Sequence, residues 1–111
     1  MQSSEIPATP TAEPRIPIPR EQIAEFCRRW KITEFALFGS VLRDDFRPDS
    51  DVDVLVTFAP EAGHSLFDLV EMTDELLAMF GRKIDLVEKK AVQNPFRRHH
   101  ILRTQQLVYA S

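Results

Sequence analysis

Between Ser50 and Phe58 the chain reads Ser-Asp-Val-Asp-Val-Leu-Val-Thr-Phe, and this alternation leaves it little conformational freedom. Successive side chains of a strand point to opposite faces of the sheet. Val52, Val54 and Val56 therefore share one face, and Asp51, Asp53 and Leu55 share the other. The first face must be covered by a core. The second brings two carboxylates to one edge of a sheet, where they repel each other unless a proton or a cation stands between them. That is a first sign of a divalent metal. The stretch leading into this strand opens on Gly39-Ser40, directly after the apolar run Phe35 to Phe38, so a turn able to hold phosphate sits beside the carboxylates.

The rest of the chain supplies the remainder of one small domain. Its 111 residues allow a single core but not two. Residues 1–19 hold five of the eight prolines, which sustain neither a helix nor an inner strand, and they read as a disordered, proline-rich arm. The domain is expected over residues 20–111. Ile23, Phe26, Cys27 and Trp30 fall at i, i+3, i+4 and i+7, which predicts an amphipathic helix in which Cys27 is a buried hydrophobe rather than a reactive thiol. Lys31 follows that helix where glycine would make a cleaner cap.

Thr33–Phe38 is a predicted strand, Ser40 to about Asp45 a short helix, and Ser50–Phe58 the second strand. Ser65 and Asp68 form a capping pattern for a helix carrying Leu66, Leu69, Val70, Thr73, Leu76, Leu77 and Phe80 towards the sheet, and Gly81 is placed to end it. Lys83–Glu88 is a third strand, Pro95–Arg103 a helix, and Leu107–Ala110 a short final strand. The expected class is thus α/β (α+β), a small mixed sheet flanked by helices.

Charge is informative in its distribution. A net charge of −3 argues against a nucleic-acid binder over the whole surface. Nothing after Glu88 is acidic, however, and that segment carries Lys89, Lys90, Arg97, Arg98, His99, His100 and Arg103: a solvated helix face, or a contact for phosphate or an acidic partner. Adjacent His99 and His100 lack the i, i+4 spacing of a shared metal site on a helix and read as surface or interface residues. No apolar run approaches a membrane span, the N-terminus lacks the apolar stretch of a secretion signal, and the lone Cys27 excludes an internal disulfide. A cytoplasmic location is the corresponding expectation.

Asp85 is the anomaly. It lies between Ile84 and Leu86 in an otherwise apolar strand, where a charge is costly unless paired. A salt bridge to Arg82 or Arg43 is one account, and a third carboxylate beside Asp51 and Asp53 is the other. Three converging carboxylates select a hard cation such as Mg²⁺ over zinc. Two such ions, roughly 3.5–4 Å apart, can clamp the attacking and leaving oxygens of a phosphoryl displacement. Gly39 lets phosphate approach closely, Ser40 offers a hydroxyl and the start of a helix, and Arg43 can return over the phosphates.

Gly39-Ser40, ten residues, then Asp51-x-Asp53 resembles the signature of the DNA polymerase β-like nucleotidyltransferases. The closest likeness is to the minimal nucleotidyltransferases (MNT) that act as antitoxins beside HEPN-domain toxins. Ser50, Gly81-Arg82-Lys83-Ile84-Asp85-Leu86-Val87 and the ending Leu107-Val108-Tyr109-Ala110 extend it over roughly residues 20–110. The resemblance implies the polymerase β-like fold, with Asp51, Asp53 and Asp85 as catalytic residues and ligands of two Mg²⁺ ions. It implies Gly39, Ser40, Arg43 and Ser50 on the nucleotide side, with Ser40 and nearby amides at the β- and γ-phosphates. It further implies ATP as donor and AMPylation of a tyrosine hydroxyl on a HEPN toxin held in a hetero-oligomeric complex. About 90 residues leave no separate domain for tRNA, DNA or an antibiotic, which favours a protein acceptor gripped in a complex. The alternatives are an antitoxin that neutralises by binding alone, and a nucleotidyltransferase for a small molecule or an RNA end.

Overall fold

The computed structural model describes residues 16–42, 47 and 50–111. Expectations resting on residues 1–15 and on Arg43 lie outside these. The described elements follow in the order α1 (Arg20–Trp30), β1 (Ile32–Phe38), a 3₁₀ turn (Gly39–Leu42), β2 (Val52–Phe58), α2 (Leu66–Phe80), β3 (Ile84–Glu88), a second 3₁₀ turn (Lys89–Ala91), α3 (Pro95–Thr104) and β4 (Gln106–Ala110). The strands form one sheet in the order β3-β2-β1-β4. β1 runs antiparallel to both β2 and β4, whereas β2 and β3 are parallel. A parallel pair needs a crossover, and α2 supplies it.

One face of the sheet carries the main core. Ile23, Phe26 and Cys27 of α1 and Met72 and Leu76 of α2 pack over Phe35, Leu37, Val52, Val54, Val56 and Ile84. Phe26 meets Phe35 edge to face at a centroid distance of 6.3 Å. Burial pushes the Cys27 thiol up to about 12, so it stays protonated and inert, as its place in the helical stripe predicts. Ile16 and Ile18, which fall within the predicted arm, pack against this core, so the body of the domain begins before residue 20.

The helix boundaries follow local chemistry. Lys31 takes the left-handed conformation at φ 58° to end α1, and Gly81 does the same for α2 at φ 68°. The Ser65 hydroxyl accepts from the Asp68 amide while the Asp68 carboxylate accepts from the Ser65 amide, the capping box expected for α2. Asn94 caps α3 by accepting from Phe96 and Arg97 N–H.

The α2 stripe expected from sequence meets the core through Leu69, Leu76 and Phe80, but not along its whole width. Met72 and Leu76 are its buried residues, while Leu66, Val70 and Leu77, placed on the core stripe from sequence, are 78%, 61% and 45% exposed. Two apolar stripes run side by side on this helix, and the one containing both methionines faces the sheet. The opposite face of the sheet has a smaller cluster, in which Ala36, Phe38 and Leu55 meet Ile101 of α3 and Val92 of the segment leading into it. Arg98 fixes that helix by donating to the Lys89 carbonyl at 2.7 Å. Among the described residues no helix is long and apolar enough to cross a membrane.

Candidate active site

The two aspartates that sequence places on separate strands meet because β2 and β3 pair in parallel register, Asp53 opposite Asp85. Each is the second residue of its strand, so both lie at the edge where β2 and β3 begin and β1 ends. Phe38, the last residue of β1, pairs with Asp53 from the other side. The strand alternation turns both carboxylates onto the α3 face, away from Val52, Val54 and Val56.

β3 is an edge strand, so Asp85 is exposed rather than confined within the sheet, and the cost that made it anomalous in the sequence is not incurred. Asp53, half-buried, bears the strain instead. Burial raises its pKa above the usual aspartate range, and the Asp85 charge raises it further. The Ser40 backbone N–H donates to it and opposes the rise, while the Asp51 charge and a hydrogen bond with Asp85 add to it. Asp51 is exposed and stands one residue before β2. It therefore acts on Asp53 through its charge, not as a strand neighbour.

The Gly39 turn is built around the same carboxylate. Gly39 has φ +77°, and a Cβ placed on it would collide with the Asp53 side chain. Glycine here thus has a sharper reason than open access for phosphate: Asp53 occupies the space. The Ser40 amide, expected to face phosphate, is engaged by Asp53. Of the helix expected from Ser40 to about Asp45, the described part is a 3₁₀ turn over Gly39–Leu42. Ser40 itself is half-buried. Ser50 closes a local turn, its hydroxyl accepting from Arg47 N–H at 3.1 Å and its own N–H donating to the Arg47 carbonyl.

Among the described residues no three Asp, Glu, His or Cys side chains converge into a cage able to hold a metal ion. The adjacent Asp53 and Asp85 are still a fitting donor set for a hard cation. They are all-oxygen and mutually repulsive, with Asp53 partly desolvated, and Mg²⁺ keeps few protein ligands, taking the remainder from water and substrate phosphate. A further element came unforeseen. Arg97 and His100 of α3 border a groove whose other wall is Gly39. The spacing of Arg97, His100 and Thr104, i, i+3 and i+7 along a helix, was the available signal.

Comparison with known proteins shows the family and the fold. The model of the nucleotidyltransferase domain family matches residues 19–108. Protein adenylyltransferase MntA of Thermococcus cleftensis is 37% identical over 70 residues, covering 63% of this chain and 69% of its own. A solved minimal nucleotidyltransferase superposes with a TM-score of 0.65 at 32% identity, over 78% of this chain and 85% of that one. An MNT antitoxin in complex with the tri-AMPylated HEPN toxin of Shewanella oneidensis superposes at 0.60 with 18% identity, over 83% and 70%, a likeness of fold.

Proposed function

The chain belongs to the nucleotidyltransferase domain family and, within it, to the protein adenylyltransferases, and on that premise we propose that it transfers AMP from ATP to a tyrosine hydroxyl of a partner HEPN-domain toxin and so neutralises it. The observation that carries this reading is the in-register pair Asp53 and Asp85 beside the Gly39-Ser40 turn. The tyrosine oxygen attacks the α-phosphorus, the bond to the β-phosphate breaks, and pyrophosphate leaves. Asp85, exposed at the sheet edge, is placed to take the hydroxyl proton. Asp53 accepts from the Ser40 amide and packs against Gly39 in the space a side chain there would fill. The Ser40 hydroxyl, Ser50 and Arg43 complete the nucleotide side in this reading. Asp51, Asp53 and Asp85 would hold Mg²⁺, two ions with ATP in place, which offset the charge that builds up on the phosphate oxygens. A HEPN toxin as partner rests on the relatives: the MNT antitoxin of the same fold is bound to an AMPylated HEPN toxin.

The test is intact-mass spectrometry of a HEPN-domain toxin from the same organism, after incubation with the protein, ATP and Mg²⁺. The expected result is a gain of one or more AMP masses, with the rate cut about 10²–10³-fold in Asp53→Asn, comparable to removing one preorganised charge-stabilising group. A toxin of unchanged mass overturns the proposal. Full neutralisation by Asp53→Asn would instead assign this chain to the class that works by binding alone.

A further inference from the structure

We propose that the groove between the Gly39 turn and α3 is the seat of the nucleoside half of the triphosphate donor; this rests on the nucleotidyl-transfer reading and extends it to residues that reading leaves unused. The groove encloses about 390 Å³, within the range of small-molecule sites, about 300–1,000 Å³. It runs directly on from Gly39, so a ligand anchored at the carboxylates by its phosphates reaches it without crossing open sheet. Its floor is apolar: Phe38, Leu42 and Ile101 are 5%, 8% and 5% exposed. Phosphate oxygens laid on such a floor would lose hydration without compensation, whereas the face of a base loses little.

The wall is the complement of the floor. Arg97, His100 and Thr104 stand along one stripe of α3, and the first two carry planar groups that both stack on a base and donate hydrogen bonds to it or to the ribose. All three are exposed, so none is committed to the core. The order of strands separates the two substrates. Asp85, which the transfer reading assigns to the acceptor, is at the outer edge on β3, whereas the groove lies beyond Asp53 on the β1 side. The basic character of the last segment of the chain thus acquires a site, and His100 a role in binding the donor rather than a metal.

The experiment compares calorimetric Kd values for MgATP and for Mg-tripolyphosphate, which has the phosphates without a nucleoside. The proteins are the wild type, the Arg97→Ala/His100→Ala double variant, and Thr104→Trp, which fills the groove from an exposed helix position. Both variants are expected to weaken ATP by about tenfold or more while tripolyphosphate stays within about twofold, with thermal midpoints unchanged. Equal weakening of the two ligands places phosphate in the groove and overturns the proposal, as does unchanged ATP affinity in both variants. A wild-type chain that binds tripolyphosphate as tightly as ATP also overturns it. A wild-type chain that binds neither ligand overturns the transfer reading itself.

Discussion

The two faces of this one sheet are built on opposite terms. On the α1–α2 face, Phe35, Leu37, Val52, Val54 and Val56 are fully buried, and among the described residues no polar side chain is buried with them. On the α3 face, Leu55 and Phe38 are covered but Asp53 and Asp85 follow at the strand ends with a single helix beside them. β2 serves both: the residues that lock it down and the carboxylate it presents differ by one position in sequence. The lesson is one of coupling. Two carboxylates that repel each other can be held in register because the reverse side of the same strands supplies the stability they cost.

The largest effect that would break this division is on the closed face. Phe35→Ala removes a fully buried ring in edge-to-face contact with Phe26 and should cost about 3–5 kcal/mol. That is a large part of the roughly 5–15 kcal/mol available to a domain. Urea unfolding reads it directly. A loss under about 1 kcal/mol would mean that the face relaxes and does not hold the site rigidly.

The next effect falls where the faces meet. Gly39 and Gly81 both have positive φ, +77° and +68°, but a Cβ meets the Asp53 carboxylate at Gly39 and nothing within 4 Å at Gly81. Alanine at either position therefore pays the left-handed conformation, about 1 kcal/mol. Only Gly39→Ala should in addition displace Asp53. We expect Gly81→Ala to keep its transfer rate and Gly39→Ala to lose it by about 10²-fold, the cost of a misplacement near 1 Å. Equal rates in the two variants would show that Asp53 tolerates displacement.

How much of this was legible in the sequence follows from how local each feature is. The β2 alternation, the Ser65–Asp68 capping box and the Gly81 stop are read within a few residues, and all three appear as expected except that β2 begins at Val52 and leaves Asp51 before it. The meeting of Asp53 with Asp85 was foreseen from chemistry, since a lone carboxylate in an apolar strand calls for a reason. Its edge position was not, because strand order is decided by pairings distant in sequence. The α2 stripe is legible at Leu69, Leu76 and Phe80 but too wide at Leu66, Val70 and Leu77, because adjacent apolar stripes satisfy the same periodicity and only the sheet chooses between them. The use of the Ser40 amide by Asp53 likewise depends on a turn folding back onto a strand that the chain forms later.

The smallest effect is the most direct comparison of the two regions, because each holds one aspartate whose proton affinity folding changes. Asp68, in the α2 cap, is held below the usual aspartate range, first by the hydrogen bond from the Ser65 amide and then by the Ser65 hydroxyl and the His64 charge, with burial opposing. Asp53 is held above that range, first by burial and then by Asp85. The two signs are opposite in linkage. Between the folded and unfolded values of Asp68 the unfolded chain binds more protons, so its contribution is present above the unfolded value and is lost as pH falls through the folded one. Between the unfolded and folded values of Asp53 the folded chain binds more protons, so stability declines as pH rises through that window. In metal-free buffer, urea unfolding across the acid range should therefore show Asp53→Asn gaining on the wild type as pH rises and Asp68→Asn falling behind it. Adding Mg²⁺ should shrink the first difference, because a cation relieves the repulsion at Asp53, and leave the second as it was. Differences of the same sign for both variants would mean that the carboxylate at the strand edge is as well satisfied as the one in the cap, and the contrast between a closed face and a strained one would not hold.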